Sequence, residues 1–175
     1  MARGSKRTLS IVVSVLLLTT AAGMLARHAG AAGANSLIVV NQSMAGVSLS
    51  ATANRAIATL GQPTNLHLEH PSPGYGILTL TWKARGLLIR FGQVPHYQGD
   101  FAYEFISTGS LRTGNGISVG STSAQLHAAY PQHCAASVDY CVIEMGHGPN
   151  AGFLTTSFFI RHGRVARIDM LNEVG

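Results

Sequence analysis

The sequence predicts an α+β protein of two tandem repeats, each a short helix packed on a three- or four-stranded antiparallel sheet, behind an N-terminal signal segment. Three observations predict it: two related words 70 residues apart, a helical stretch ended by Gly or Pro after each, and alternating apolar runs after each helix. The words are Gly46-Val47-Ser48-Leu49-Ser50-Ala51-Thr52 and Gly116-Ile117-Ser118-Val119-Gly120-Ser121-Thr122, in which Gly, Ser and Thr coincide and the apolar positions match. The register continues with Ala58 over Ala128 and Gln62 over Gln132. A second word, Ile89-Arg90-Phe91-Gly92-Gln93-Val94, lies over Ile160-Arg161-His162-Gly163-Arg164-Val165 at an offset of 71. The repeats are placed at residues 41–108 and 111–175, joined near Thr108-Gly109-Ser110.

Residues 1–34 have the layout of a secretory signal: basic Arg3, Lys6 and Arg7, an apolar run from Ile11 to Leu18 broken by Ser14, then small residues. Cleavage after Ala34 is expected, because Ala32 and Ala34 supply the small side chains that a signal-peptide cut requires. The alternative is an uncleaved membrane anchor over residues 11–26, although a spanning helix needs roughly 20 apolar residues. No Cys lies near this segment to carry a lipid. The same segment explains the charge. The formal net charge is +5, but removing residues 1–34 leaves eight basic residues against seven acidic, too balanced to attract a nucleic acid. An exported protein is therefore expected, secreted or otherwise extracytoplasmic.

Thr52 and Thr122 stand where helix N-caps are wanted, ahead of Ala53-Asn54-Arg55-Ala56-Ile57-Ala58-Thr59-Leu60 and Ser123-Ala124-Gln125-Leu126-His127-Ala128-Ala129-Tyr130. Gly61 with Pro63 ends the first helix and Pro131 the second, since proline lacks the backbone donor and restricts the residue before it. Leu78, Leu80 and Trp82 alternate with Thr79, Thr81 and Lys83, the period of a strand with one buried face. Ala84-Arg85-Gly86 reads as a hairpin turn before Leu87-Leu88-Ile89-Arg90-Phe91, and Phe101-Ala102-Tyr103-Glu104-Phe105 makes a third strand. The second repeat has strands at 141–145, 154–161 and 165–170, with a turn at His162-Gly163-Arg164. Cys134 and Cys141, close together in an exported chain, are expected as a disulfide that contributes roughly 2.5 kcal/mol on the chain-entropy model. Six intervening residues do not match the two-residue spacer of a redox pair.

The word Gly-hydrophobic-Ser-hydrophobic-small-small-Thr, followed by a helix ending in Leu60-Gly61-Gln62-Pro63, resembles the opening of small exported α/β modules. These are the SmpA/OmlA outer-membrane assembly lipoproteins and the secreted β-lactamase inhibitor proteins, the latter built from two such modules in tandem. The resemblance covers roughly 17 residues in each half and implies a two-module protein that binds another protein without catalytic residues. Three departures stand beside it: Leu49-Ser50-Ala51 before the first Thr, Tyr130-Pro131 where Gly is the rule, and the missing lipidation Cys. No partner-contacting residue carries over, because the contact loops do not match.

No nucleophile elbow, dinucleotide-binding glycine pattern or phosphate-loop lysine occurs, so no catalytic residue and no cofactor are called for. His67-Leu68-Glu69-His70 is the densest metal-like cluster. A zinc site would need further ligands from His96, His133, His147 or Asp139, and no spacing selects them, so solvated loop histidines and no metal are expected. The run 147–152 reads as a hairpin connection or a binding loop, and Asn41-Gln42-Ser43 is a formal N-glycosylation sequon. Arg90 and Arg161, aligned by the second word, share a strand position and face away from the apolar neighbours Ile89, Phe91 and Ile160. With Lys83 and Tyr103, and with Trp82 nearby, they are the residues expected to anchor a partner, Arg and aromatic side chains being enriched at interface hot spots. The competing reading makes Trp82 core and pairs the arginines with Glu104 and Asp169.

Three roles follow: an exported non-catalytic module that binds another extracytoplasmic protein and inhibits it or serves the cell envelope; a small secreted hydrolase or metal-binding protein using His67, His70 and His133; or an envelope component held by its N-terminus. The first is preferred. Membrane contact is expected only if the N-terminal segment is uncleaved.

Overall fold

Alternation in the sequence is realised as the strands of one long antiparallel sheet. The computed structural model describes residues 36–93, 100–135, 139–146 and 153–172, all within the unit Ala34–Gly175. Three short strands come first: β1 (Leu37–Val39), β2 (Ser43–Met44) and β3 (Val47–Ser48). Helix α1 (Ala53–Leu60) is followed by β4 (Asn65–Ser72), β5 (Tyr75–Trp82), β6 (Leu87–Gln93) and β7 (Asp100–Ser107). After β8 (Arg112–Thr113) come α2 (Ser123–Ala129), β9 (Tyr140–Gly146), β10 (Phe153–Arg161) and β11 (Arg164–Asn172). The signal segment, His96 and the run 147–152 lie outside the described residues.

The large sheet has the order β4-β5-β6-β7-β11-β10-β9, so the strands of residues 65–107 and of 140–172 join along a β7–β11 seam. There Ile106 lies opposite Asp169, with Ser107 opposite Ile168 and Phe105 opposite Met170 on either side. The second, small sheet has the order β3-β2-β1-β8, and its β1–β8 pair is parallel. Nothing in the sequence pattern announced it, because two- and three-residue strands are too short for a period to register.

One face of the large sheet carries the core. Leu80, Leu87, Ile89, Phe91, Phe105, Phe158, Ile168 and Met170 are buried on it, together with Ile38, Met44 and Val47 of the small sheet and Ala56, Leu60 and Leu126 of the helices. Each large side chain buried in this way contributes about 1.5–3 kcal/mol. Trp82 belongs here too, buried with its indole N–H donating to the Gly61 carbonyl at 2.9 Å. It ties β5 to the C-terminal end of α1, and it is no surface anchor.

Both helices start on the predicted threonines. Thr52 Oγ1 accepts from Arg55 N at 3.3 Å, and Thr122 Oγ1 from Gln125 N at 3.1 Å, with the Gln125 side chain accepting in return from Thr122 N at 2.9 Å. The segment before each helix is tied to a strand in the same way. Ser50 N donates to Ala102 O and Ala102 N to Ala51 O, while Gly120 N donates to Val165 O and Val165 N to Ser121 O, all at 2.8 Å. The Cys134–Cys141 disulfide is formed, with Cα atoms 5.2 Å apart, and fastens the segment after α2 to β9.

Two expectations are corrected. His67 and His70, expected as solvated loop histidines, lie on the edge strand β4, every residue of which is exposed. Its alternation of Leu66 and Leu68 with His67 and Glu69 is the strand signal, cut to four residues by His70 and Pro71. Asn41 of the sequon is only 2% exposed. Its amide is held by Thr156 Oγ1 at 2.6 Å and by the Ile143 carbonyl at 3.2 Å, so the folded protein does not present it for glycosylation.

Candidate binding surface

The face of the large sheet opposite the core is left open by both helices, and register assigns its residues. One row crosses all seven strands: His67, Thr79, Arg90, Glu104, Leu171, Thr155 and Glu144. The next row runs Asn65, Thr81, Leu88, Ile106, Asp169, Ser157 and Val142. Polar and apolar side chains mix along both, as on a sheet face that meets water part of the time.

Of the residues expected to anchor a partner, Arg90 and Tyr103 lie on this face and Lys83 and Arg161 do not join them. Arg90 Nη1 donates to Glu104 Oε2 across the β6–β7 pair at 2.7 Å, and this hydrogen bond is the main cause that raises the Arg90 pKa above its ordinary value. Tyr103 sits at the register shift between Arg90 and Phe91, where burial raises its phenol pKa, helped by Tyr75 and Glu104. Phe101 and Tyr103 close over Gly92, whose missing side chain makes the room: a Cβ there would stand 3.2 Å from Phe101. Their rings meet edge to face with centroids 6.5 Å apart.

Lys83 lies in the 3₁₀ turn Lys83–Arg85 between β5 and β6, and Arg161 at the tip of the β10–β11 hairpin, both exposed. The alignment that equated Arg90 with Arg161 is corrected by register. Ile89 pairs with Phe105 and Arg90 with Glu104 in the middle of β6, whereas Arg161 pairs with Arg164 around the turn residues His162 and Gly163. The same letters, Ile-Arg-x-Gly, serve as strand interior in one place and as strand end in the other. Asp169 pairs with Arg167 at 2.9 Å, not with Arg161.

A concavity of this face lies over β9, β10 and β11. It encloses about 500 Å³ between the aromatic rings of Tyr140, Phe153 and Phe159 and the carboxylates of Glu104, Glu144 and Asp169. Tyr140 and Phe153 are 49% and 55% exposed, high for aromatic side chains on a sheet. Tyr140 and Phe159 are in ring contact at 4.9 Å, the Arg167 guanidinium sits 3.9 Å above the Phe159 ring, and Tyr140 Oη is 3.0 Å from Ser157 Oγ. Asp169, 13% exposed at its side chain, has its pKa raised to about 6, chiefly by burial and further by Glu104, against the pull of Arg167. Its Oδ1 and the Arg167 Nε are buried without a hydrogen-bond partner among the described residues. The odd-numbered alternation of Phe153, Thr155, Ser157 and Phe159 could have marked these rings, but Phe158 and Ile160 blur it by being apolar on the other face.

The histidines stay apart from this groove. His67 Nε2 lies 3.1 Å from Glu69 on the exposed edge strand, His127 Nδ1 is 2.5 Å from the Cys134 carbonyl, and His133 is exposed in the turn after α2. Among the described residues no three His, Cys, Asp or Glu side chains form a group that could hold a metal ion. Among the described residues, too, no helix is long and apolar enough to cross a membrane. No family model matches the chain, and no curated protein and no solved structure matches it at a significant level.

Proposed function

We propose that the protein is an exported, non-catalytic binding module of two α/β repeats, and that a partner protein docks on the open face of its large sheet. The observation that carries the reading is the groove beside the seam, where Tyr140 and Phe153 stand exposed among hydrogen-bonding groups on a face that neither described helix covers. Arg90 and Tyr103 lie on the same face across β6 and β7, which supports counting them among the anchors for one partner. Export rests on the layout of residues 1–34 and agrees with a disulfide, which persists in oxidising compartments.

The two-repeat reading draws on the matching ties before the helices and on the symmetric pairing about Ile106 and Asp169. In this reading the repeats meet by their last strands and share one sheet, β4 being an addition to the first. The shared ancestry with tandem exported modules that the Gly-x-Ser word implies belongs to the same proposal.

The test is capture from an exporting host with disulfide-intact protein as bait, comparing wild type with a Tyr140→Ser/Phe153→Ser variant and with Lys83→Ala/Arg161→Ala. A protein retained by the wild type and by the Lys83/Arg161 variant, and lost with Tyr140→Ser/Phe153→Ser at unchanged thermal stability, is the expected result. Equal retention by all three proteins would remove the open face as the docking surface.

A further inference from the structure

The large sheet has two edge strands, β4 and β9. At β9 the Asn41 side chain donates to the Ile143 carbonyl at 3.2 Å and is held by Thr156 of β10, a contact on the inner side of that strand. At β4 the strand has β5 on one side and, among the described residues, no strand on the other, and all eight residues are exposed. Leu66 and Leu68, 62% and 45% exposed, lie on one face of it. His67 and Glu69 lie on the other, 3.1 Å apart. An open strand edge displays backbone N–H and C=O groups that another strand can take up, and two exposed leucines add apolar surface.

We infer that β4 is a pairing edge for a second copy of this chain, strand against strand and antiparallel about Leu68. The strand is its own complement in that register. Leu68 meets Leu68 of the second copy, and His67 meets Glu69 of the second copy on the opposite face, in both directions, as a two-fold axis requires. An imidazole N–H donates to a carboxylate whether or not the ring is charged, and no like charges are brought face to face. The self-pairing stretch is short. A register shift between Glu69 and Ser72, with Pro71 inside it, ends the regular part of β4, which confines the regular pairing to residues 67–69 of each copy and makes the association reversible. The inference does not depend on the open face binding a partner, since β4 presents its edge and not that groove.

The experiment is sedimentation velocity on the protein as recovered from an exporting host, over about 10 µM to about 1 mM, a range that brackets weak association. A monomer–dimer equilibrium is expected in the wild type. Leu68→Lys, at an exposed position that leaves the fold intact by circular dichroism, is expected to abolish it. Glu69→Lys is expected to weaken dimerisation about tenfold, and adding His67→Glu to restore it by exchanging the two charges across the axis. A wild type that stays monomeric throughout, or a dimer indifferent to Leu68→Lys, would overturn the inference. A dimer lost with Leu68→Lys but not restored by the exchange would overturn the register about Leu68.

Discussion

The two strand pairs that flank the seam share a core and differ on the surface. On the buried side Ile89 faces Phe105 in the β6–β7 pair and Phe158 faces Ile168 in the β10–β11 pair, all four without exposed surface. One residue along each strand the open face begins. There the β6–β7 pair holds Arg90 against Glu104, an ion pair at 2.7 Å, and the β10–β11 pair holds Phe159 against Arg167, a guanidinium stacked on a ring at 3.9 Å. Each contact is worth about 0.5–1 kcal/mol at a partly exposed site, far less than the burial beside it. Packing therefore sets the register, and the open face is left to vary. What results is one backbone arrangement presenting an ion-paired half and an aromatic half.

The largest effect expected of a single change falls where the two halves are joined. Gly109 follows β7 and packs against the β5–β6 turn. A Cβ on it would stand 2.0 Å from the Arg85 carbonyl oxygen, and one on Gly86 would stand 2.5 Å from Gly109 N. Gly109→Ala is expected to cost about 3 kcal/mol in urea unfolding, because the obstacle is backbone and cannot swing aside. Gly114→Ala, five residues on and with nothing within 4 Å, is expected to change stability by less than about 0.5 kcal/mol. Equal effects would mean that the joint between the halves is a loose tether and not a packed contact.

A smaller effect separates the halves by pH. The Asp169 carboxyl titrates in the folded protein at about 6 against an ordinary value of 3.8, with Arg167, Glu104 and Arg90 as the charges that face it. Between pH 4 and 6 the folded chain keeps a proton that the unfolded chain releases, so this group makes stability fall as pH rises through that window. Asp169→Asn removes the titration. Relative to wild type, the variant is expected to gain on the order of 2 kcal/mol on going from pH 4 to pH 7, whatever constant offset the lost Arg167 contact adds. Parallel stability curves for the two proteins would show that the carboxylate is better solvated than its burial implies.

The helices and most strands were legible in the sequence because each rests on local chemistry: Thr caps, Gly and Pro stops, and alternation over five or more residues. What was not legible depends on residues far apart in the chain. Asn41 reads as a sequon and is in fact a buried polar link between the first turn and β9 and β10, a role that only the Ile143 and Thr156 contacts reveal. Glycine misled the alignment of the second word. Gly92 gives clearance to Phe101 inside β6, while Gly163 turns the chain with φ +70° after His162, and one letter stands for both uses. The matched letters therefore stand in different settings: Arg90 lies opposite Glu104 in the middle of a strand, and Arg161 lies opposite Arg164 beside a turn. The groove escaped because its carboxylates and rings come from four strands and no two neighbouring residues announce it.

The finest comparison lies in the threonine caps that the sequence makes look alike. Thr122 is one half of a reciprocal pair, its hydroxyl accepting from Gln125 N while the Gln125 side chain accepts from Thr122 N at 2.9 Å. Thr52 has Arg55 three residues on, which cannot accept, and its own bond is longer at 3.3 Å. The first helix has another source of support: Asp100 Oδ2, at the start of β7, accepts from Ala53 N at 2.7 Å and places a carboxylate at the positive end of the helix. In the second helix the same donor position, Ser123 N, is met by the Gly163 carbonyl at 3.0 Å. Thr122→Ala is accordingly expected to cost about 1 kcal/mol and Thr52→Ala about half as much, since one cap loses a reciprocal pair and the other keeps its carboxylate. Adding Asp100→Asn should bring the first helix up to the cost of the second, because it removes the charge that compensates. If Thr52→Ala alone already costs as much as Thr122→Ala in thermal unfolding, the carboxylate is not sharing the work of the cap, and the two helix starts are equivalent in energy as well as in sequence.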